Sequence, residues 1–157
     1  MKHFTPENFQ NCNIGLLIGR ANLLKDRILD THLEPYGVTS AQFKVLVIMQ
    51  QFDVDTPAEL CRYLSLDSGS MTRMLDRLEQ KGLIARRRCP DDRRQVRVGL
   101  AEEGLKLANS LAHIGAEAMN QLVGVLDSTE LADLERILTK VLLAAGDSLT
   151  MLRVGEK

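Results

Sequence analysis

The chain has few of the residues that usually carry chemistry. Its three cysteines, Cys12, Cys61 and Cys89, are far apart and odd in number. They form no Cys-x-x-Cys pair and no Cys/His cluster with zinc spacing, so no metal site is expected. They read as three reduced thiols; the sharper alternative is a redox sensor, for which Cys12, near the start of the first helix, is the one to watch. The three histidines, His3, His32 and His113, are scattered. None is paired with a carboxylate at a spacing that makes a general base and its orienter. No Gly-rich phosphate loop occurs. Together these absences leave no catalytic residue and no cofactor to expect. No run of ~18 apolar residues exists, so no membrane span is expected. Met1 to Gln10 is polar and lacks the apolar stretch of a secretory signal, which places the expectation in the cytoplasm. There are no internal repeats and no low-complexity segment, and residues 1–157 read as a single domain.

What is present is an uneven distribution of charge. The formal net charge is only −1. Between Arg62 and Arg97, however, ten cations face five anions, a local excess of +5, while the remainder holds ten cations and sixteen anions, or −6. A basic middle between acidic ends is the pattern of one phosphate-facing surface on a body that otherwise repels polyanions.

Apolar spacing and caps divide the chain. Ile14, Leu17, Ile18, Ala21, Leu24, Ile28 and Leu29 predict a long helix over about 13–33, stopped by Pro35 and Gly37. Thr39 and Gln42 have capping-box spacing before a second helix. Thr56 caps a short third one, with Pro57 at its first position, Glu59 closing the box and Leu60 and Leu64 as its buried pair. Asp67 caps a fourth, which ends at Gly82. Two strand-like runs follow, about 83–88 and 95–100, joined by a turn through Cys89-Pro90-Asp91-Asp92-Arg93-Arg94. Two long helices close the chain, from about Glu102 and from Asp127, the last with a box at Asp127 and Glu130 and one apolar face of Leu131, Leu134, Ile137, Leu138, Val141 and Leu142.

The third and fourth helices, joined by a short turn, form a helix-turn-helix layout. In the fourth, Met71, Met74, Leu75 and Leu78 make a buried stripe, and Gly69, Thr72, Arg73, Asp76 and Gln80 centre the opposite face, flanked by Ser70 and Arg77. That face can read base edges: Arg on guanine, Thr on a thymine methyl, Asp on cytosine N4. Ser68 and Ser70 lie in the first turn, where backbone N–H groups favour a phosphate. On this helix alone a merely solvated face is the simpler reading. The hairpin shifts the balance. Arg86, Arg87 and Arg88 end its first strand, Arg93 and Arg94 sit near its tip and Arg97 follows on the second. Such a density of Arg beside a helix-turn-helix suits a minor groove. Asp92, two residues before Arg94, can pin that guanidinium.

Here the sequence resembles the MarR family of bacterial transcriptional regulators. The resemblance runs through Thr39-Ser40-Ala41-Gln42-Phe43 with Val45-Leu46, through Thr56-Pro57-Ala58-Glu59-Leu60, and most strongly through Leu66-Asp67-Ser68-Gly69-Ser70-Met71-Thr72-Arg73-Met74-Leu75-Asp76-Arg77-Leu78. Lys81-Gly82-Leu83-Ile84, Arg86, the Asp92-x-Arg94 pair and Leu100 with Gly104 complete it. It implies a mainly α fold with a small β-hairpin wing (α+β), a winged helix-turn-helix lobe at 39–100 and helical dimerisation regions at 10–35 and 102–153. It also implies a homodimer that presents two winged helices to a near-palindromic operator in double-stranded DNA, with the fourth helix in the major groove and Arg94 in the minor. The expected DNA contacts are Ser68, Ser70, Thr72, Arg73, Asp76 and Arg77 on that helix, and Arg86, Arg88, Asp92, Arg93, Arg94 and Arg97 on the wing. The departure is Ala101, where the family often has a Thr cap.

The resemblance further suggests a repressor released by a small phenolic or aromatic carboxylate, for which Arg20, His32, Tyr36 and Arg86 are guessed as lining. A redox-responsive regulator and a winged-helix protein-interaction module are the alternatives. The terminal apolar stripes have two readings as well. They can close an intramolecular bundle, but they are separated by the whole winged segment and one chain would struggle to bury both; a two-fold dimer buries them and matches a two-fold operator.

Overall fold

A computed structural model of the chain describes residues 3–88 and 96–155. The elements are α1 (Ile14–Leu33), α2 (Ser40–Phe52), α3 (Pro57–Leu64), α4 (Ser68–Gln80), β1 (Ile84–Arg88), β2 (Val96–Leu100), α5 (Glu102–Val123), α6 (Ser128–Ala144) and α7 (Ser148–Gly155), with short 3₁₀ turns at Phe9–Asn11 and Glu34–Tyr36. The hairpin is antiparallel and pairs Ile84 with Leu100, Arg86 with Val98 and Arg87 with Arg97.

The caps explain the boundaries. Before α2, Thr39 accepts from the Gln42 amide and its own amide donates to the Gln42 side chain, a complete capping box. Before α3 the box is only half made. Thr56 accepts from the Glu59 amide at 3.3 Å, but Glu59 takes the Thr56 hydroxyl at 2.6 Å rather than the backbone N–H. α4 ends in a Schellman pair, with Gly82 at φ 69°, the Gly82 amide on Glu79 O and the Leu83 amide on Leu78 O. Leu83 is spent on that closure, so the strand begins one residue later than expected, at Ile84.

The last predicted helix is two. Gly146 turns left-handed at φ 73°, the Asp147 amide bonds Leu142 O, and Asp147 then accepts from the Thr150 amide at 2.8 Å to start α7. A Gly stop followed by an Asp cap is a legible signal, and reading the stripe of α6 straight through passed over it.

One core holds the winged segment to α5 and the end of α1. Its fully buried members include Leu33, Val45, Leu46, Leu60, Met71, Leu75, Leu78 and Ile84. Met74 and Leu64, expected inside, are only partly covered. Gly104 lets α5 approach the hairpin: a Cβ there would lie 1.8 Å from Leu83 O, the carbonyl that also accepts the Ala101 amide. This bond ties Ala101 to the hairpin but leaves the first amides of α5 without a side-chain cap, and Glu102 and Glu103 lie in the first turn, at the positive end of the helix dipole. No helix among the described residues is long and apolar enough to cross a membrane.

Candidate nucleic-acid interface

The site is built on α4. Met71, Leu75 and Leu78 bury its inner face, which fixes the rotation of the helix and turns Gly69, Arg73 and Gln80 directly outward. The N-terminus is held by a short relay. The Asp67 carboxylate accepts the Ser70 amide at 2.8 Å and the Ser70 hydroxyl at 2.6 Å, and that hydroxyl accepts from Arg73 at 3.1 Å. Those Ser70 bonds, with help from the Gly69 amide and Arg73, hold the Asp67 carboxyl below its ordinary range. The relay folds the Arg73 guanidinium back over Gly69, whose missing side chain leaves the space. Arg73 therefore stands at the surface with one donor engaged and the rest of its fork available. Ser68 contributes its carbonyl to the Thr72 hydroxyl at 2.8 Å. Arg77 is exposed on the same side as Ser70.

The hairpin meets α4 edge-on. Strand alternation puts Arg86 on the face of Ile84 and Val98, toward the core, and Arg87 with Arg97 on the other. Arg86 Nη1 forms an ion pair with Asp76 at 2.7 Å and donates to Glu79 at 2.8 Å, its amide donates to Glu79 at 3.1 Å, and Nη2 reaches Thr72 O at 3.4 Å. Thr72, Asp76 and Glu79 thus form the flank of α4 that faces the hairpin, rather than sharing the centre of the outer face. Arg86, expected among the wing contacts and in the effector lining, is engaged by the protein itself. Arg97 lies against Asp55 at 2.6 Å, and the Val98 amide donates to Asp55 O at 2.7 Å, so the loop before α3 anchors β2. Arg87, one of the wing arginines but not among the expected contacts, is exposed; counting the strand alternation outward from buried Ile84 identifies it. Asp92, Arg93 and Arg94 lie outside the described residues, as does Cys89.

The four guessed effector residues fall on three elements: Arg20 and His32 on α1, Tyr36 in the 3₁₀ turn after it and Arg86 on β1. Arg20 and His32 are twelve positions apart on α1, about 18 Å by helical rise. A cleft of about 680 Å³ instead opens beside the hairpin, between Met49, Asp53, Val54 and Asp55 on one side and Arg87, Arg97 and Val98 on the other. His32 meets α5. Its ring lies 3.0 Å from the Gln121 side-chain oxygen and 3.8 Å from Glu117, which also meets His113 at 3.3 Å. The expectation of no His/carboxylate pair is corrected here: the fold brings His32 to Glu117, and the helical i,i+4 spacing pairs His113 with it. The cluster fastens α1 to α5. Among the described residues no group of His, Cys, Asp and Glu is placed to hold a metal ion. Cys12 and Cys61 are free thiols, and burial, with Asp67 nearby, pushes the Cys61 thiol up, away from the reactive thiolate.

Against known proteins, residues 38–96 match the family model described as MarR. The multiple antibiotic resistance protein MarR of Escherichia coli is 41% identical over 82% of this chain and 90% of its own length. The transcriptional regulator PecS of Dickeya dadantii is 29% identical over 82% of this chain and 78% of its own. A cysteine-to-serine mutant of the E. coli protein, crystallised with operator DNA, superposes with a TM-score of 0.78 at 38% identity, covering 88% of this chain and 99% of that one. A MarR regulator from Methanosarcina mazei gives 0.73 at 29% identity, over 85% and 95%.

Proposed function

The chain belongs to the MarR family of DNA-binding transcriptional regulators, and from that premise we propose that it is a repressor that grips a near-palindromic operator as a homodimer. The observation that carries the reading is the outer face of α4, where Arg73 is pre-positioned by Ser70 and Asp67 over the bare Gly69. An Arg held at a helix surface needs little further ordering before it bridges guanine O6 and N7. Arg77, Ser70, Ser68 and Thr72 surround it, and the exposed Arg87 extends the basic surface onto the hairpin. The tip, with Asp92, Arg93 and Arg94, enters the minor groove in this reading, on the strength of the family resemblance.

The dimer rests on unburied apolar surface. Ile14, Leu17, Ile18 and Leu24 of α1 and Leu134, Ile137, Leu138, Val141 and Leu142 of α6 are all exposed in the single chain. Two helices with bare apolar faces, at opposite ends of the sequence, are the surface that a second copy covers. A small aromatic carboxylate remains the proposed releasing ligand. A thermal-shift screen of such acids, run with and without operator, finds it as the compound that stabilises the free protein and frees the DNA.

The test of the DNA reading is a titration of the full chain, by fluorescence anisotropy, against duplexes enriched by it from a random pool. Preferential binding of the enriched duplexes over scrambled ones is expected. Failure to enrich any sequence, with retained binding to a protein partner, favours the interaction-module reading instead.

A further inference from the structure

Arg86 reaches from the wing back to the recognition helix, and its surroundings are those of a side chain engaged within the protein. Four polar atoms converge on it from α4: carboxylate oxygens of Asp76 and Glu79, a second Glu79 oxygen on its backbone amide, and Thr72 O. Thr72, Asp76 and Glu79 stand at i, i+4 and i+7, so they form one stripe on one flank of the helix. Asp76 and Glu79 are both substantially exposed carboxylates on the element that must lie against phosphates. Without these bonds, only apolar packing and the strand connection would set the angle between this helix and the hairpin.

We propose that Arg86 is a positioning residue for DNA recognition: it clamps the Thr72/Asp76/Glu79 flank of α4 to β1 and so fixes the angle between helix and wing. It makes no contact with DNA. The proposal rests on the DNA-binding reading of α4. It accounts for a guanidinium rather than an ammonium at this place, because a planar fork can bond two carboxylates and a carbonyl at once while a point charge holds no such geometry. It also assigns Asp76 a role inside the protein in place of the cytosine contact expected from sequence.

The test compares Arg86→Gln, Arg86→Lys, the pair Asp76→Asn/Glu79→Gln, and that pair combined with Arg86→Gln. Each is titrated against an enriched operator and a scrambled duplex of equal length, across a salt series. A positioning role predicts that Arg86→Gln loses at least tenfold in operator affinity while the salt slope on the scrambled duplex stays that of the wild type. Arg86→Lys should recover only part of the loss. In the background lacking both carboxylates, Arg86→Gln should have little further effect, since the clamp is already gone. If instead Arg86→Gln makes the slope shallower by about 0.9 for each phosphate no longer neutralised, on both duplexes and equally in the background without carboxylates, Arg86 binds phosphate and the proposal is overturned. Melting curves keep the test open if Arg86→Gln folds poorly, because Glu79→Gln alone removes half of the clamp and must then show the same operator-selective loss. Should the wild type enrich no operator at all, it is the DNA-binding reading that falls.

Discussion

α4 and α6 are both amphipathic helices with an aliphatic stripe at helical spacing, yet Leu75 in α4 is 1% exposed while Val141 in α6 is 58% exposed. The difference lies in what is within reach. α4 is bracketed in sequence by α3 and the hairpin, so its stripe meets Leu60 and Ile84 in the same core. α6 leaves the body after α5 and has none of its residues buried. The same pattern of residues therefore means core in one place and interface in the other. The polar faces differ too: in α4 side-chain bonds run from the Asp67 cap on to Arg73, while in α6 the Asp127/Glu130 capping box and the Arg136–Asp133 pair stand apart.

The largest effect should come from spoiling the unburied stripe. Ile137→Asp with Val141→Asp should yield a monomer by sedimentation, with operator affinity reduced on the order of 10²–10⁴-fold as the two half-sites cease to be bound together. Retained dimerisation would show that α6 serves another purpose. Within the lobe, Gly104→Ala should lower stability by about 1–3 kcal/mol in denaturant titration, because the new methyl meets the Leu83 carbonyl and backbone cannot rotate aside. Arg73→Ala should leave folding intact and cost about 1–3 kcal/mol of specific binding, with preference relaxed at one base pair per half-site. Equal loss on all sequences would assign Arg73 to phosphate.

The smallest expected effect concerns charge at the start of α4. Asp67 has its carboxyl held below the ordinary value by the Ser70 bonds. A depressed carboxyl contributes stability above its unfolded-state pKa, and that contribution is lost as pH falls through the folded value. Asp67→Asn keeps an acceptor but removes the charge. Its melting temperature should lie below that of the wild type at neutral pH, and the gap should close as pH is lowered through about 4 and beyond. A gap independent of pH would mean that the charge of Asp67 adds nothing to the cap.

Much of this was legible in the sequence because it is written in local signals. Thr39, Asp67, Gly82 and Asp127 mark helix ends through bonds to residues at most three positions away, and all four do so in the fold. The stop at Gly146 was equally local and was masked by the continuing stripe of α6. What the sequence did not disclose was the direction of individual side chains. Arg86 and Arg87 are adjacent and identical; strand alternation separates their faces once Ile84 is known to be buried, but that Arg86 meets Asp76 and Glu79 is set by the packing of the hairpin on α4. The meeting of His32 with Glu117 joins residues of two helices far apart in the chain, and no spacing rule anticipates it. The same holds for the Asp55–Arg97 anchor.

The central claim, that two copies of this chain present α4 to two half-sites, is tested most directly by footprinting an enriched duplex at saturating protein while measuring the mass of the complex. The expected result is two protein chains per duplex and two inverted protected half-sites, with centres about 10–10.5 base pairs, or one helical turn, apart. A single chain bound to one asymmetric site, or protection without inverted symmetry, would contradict it.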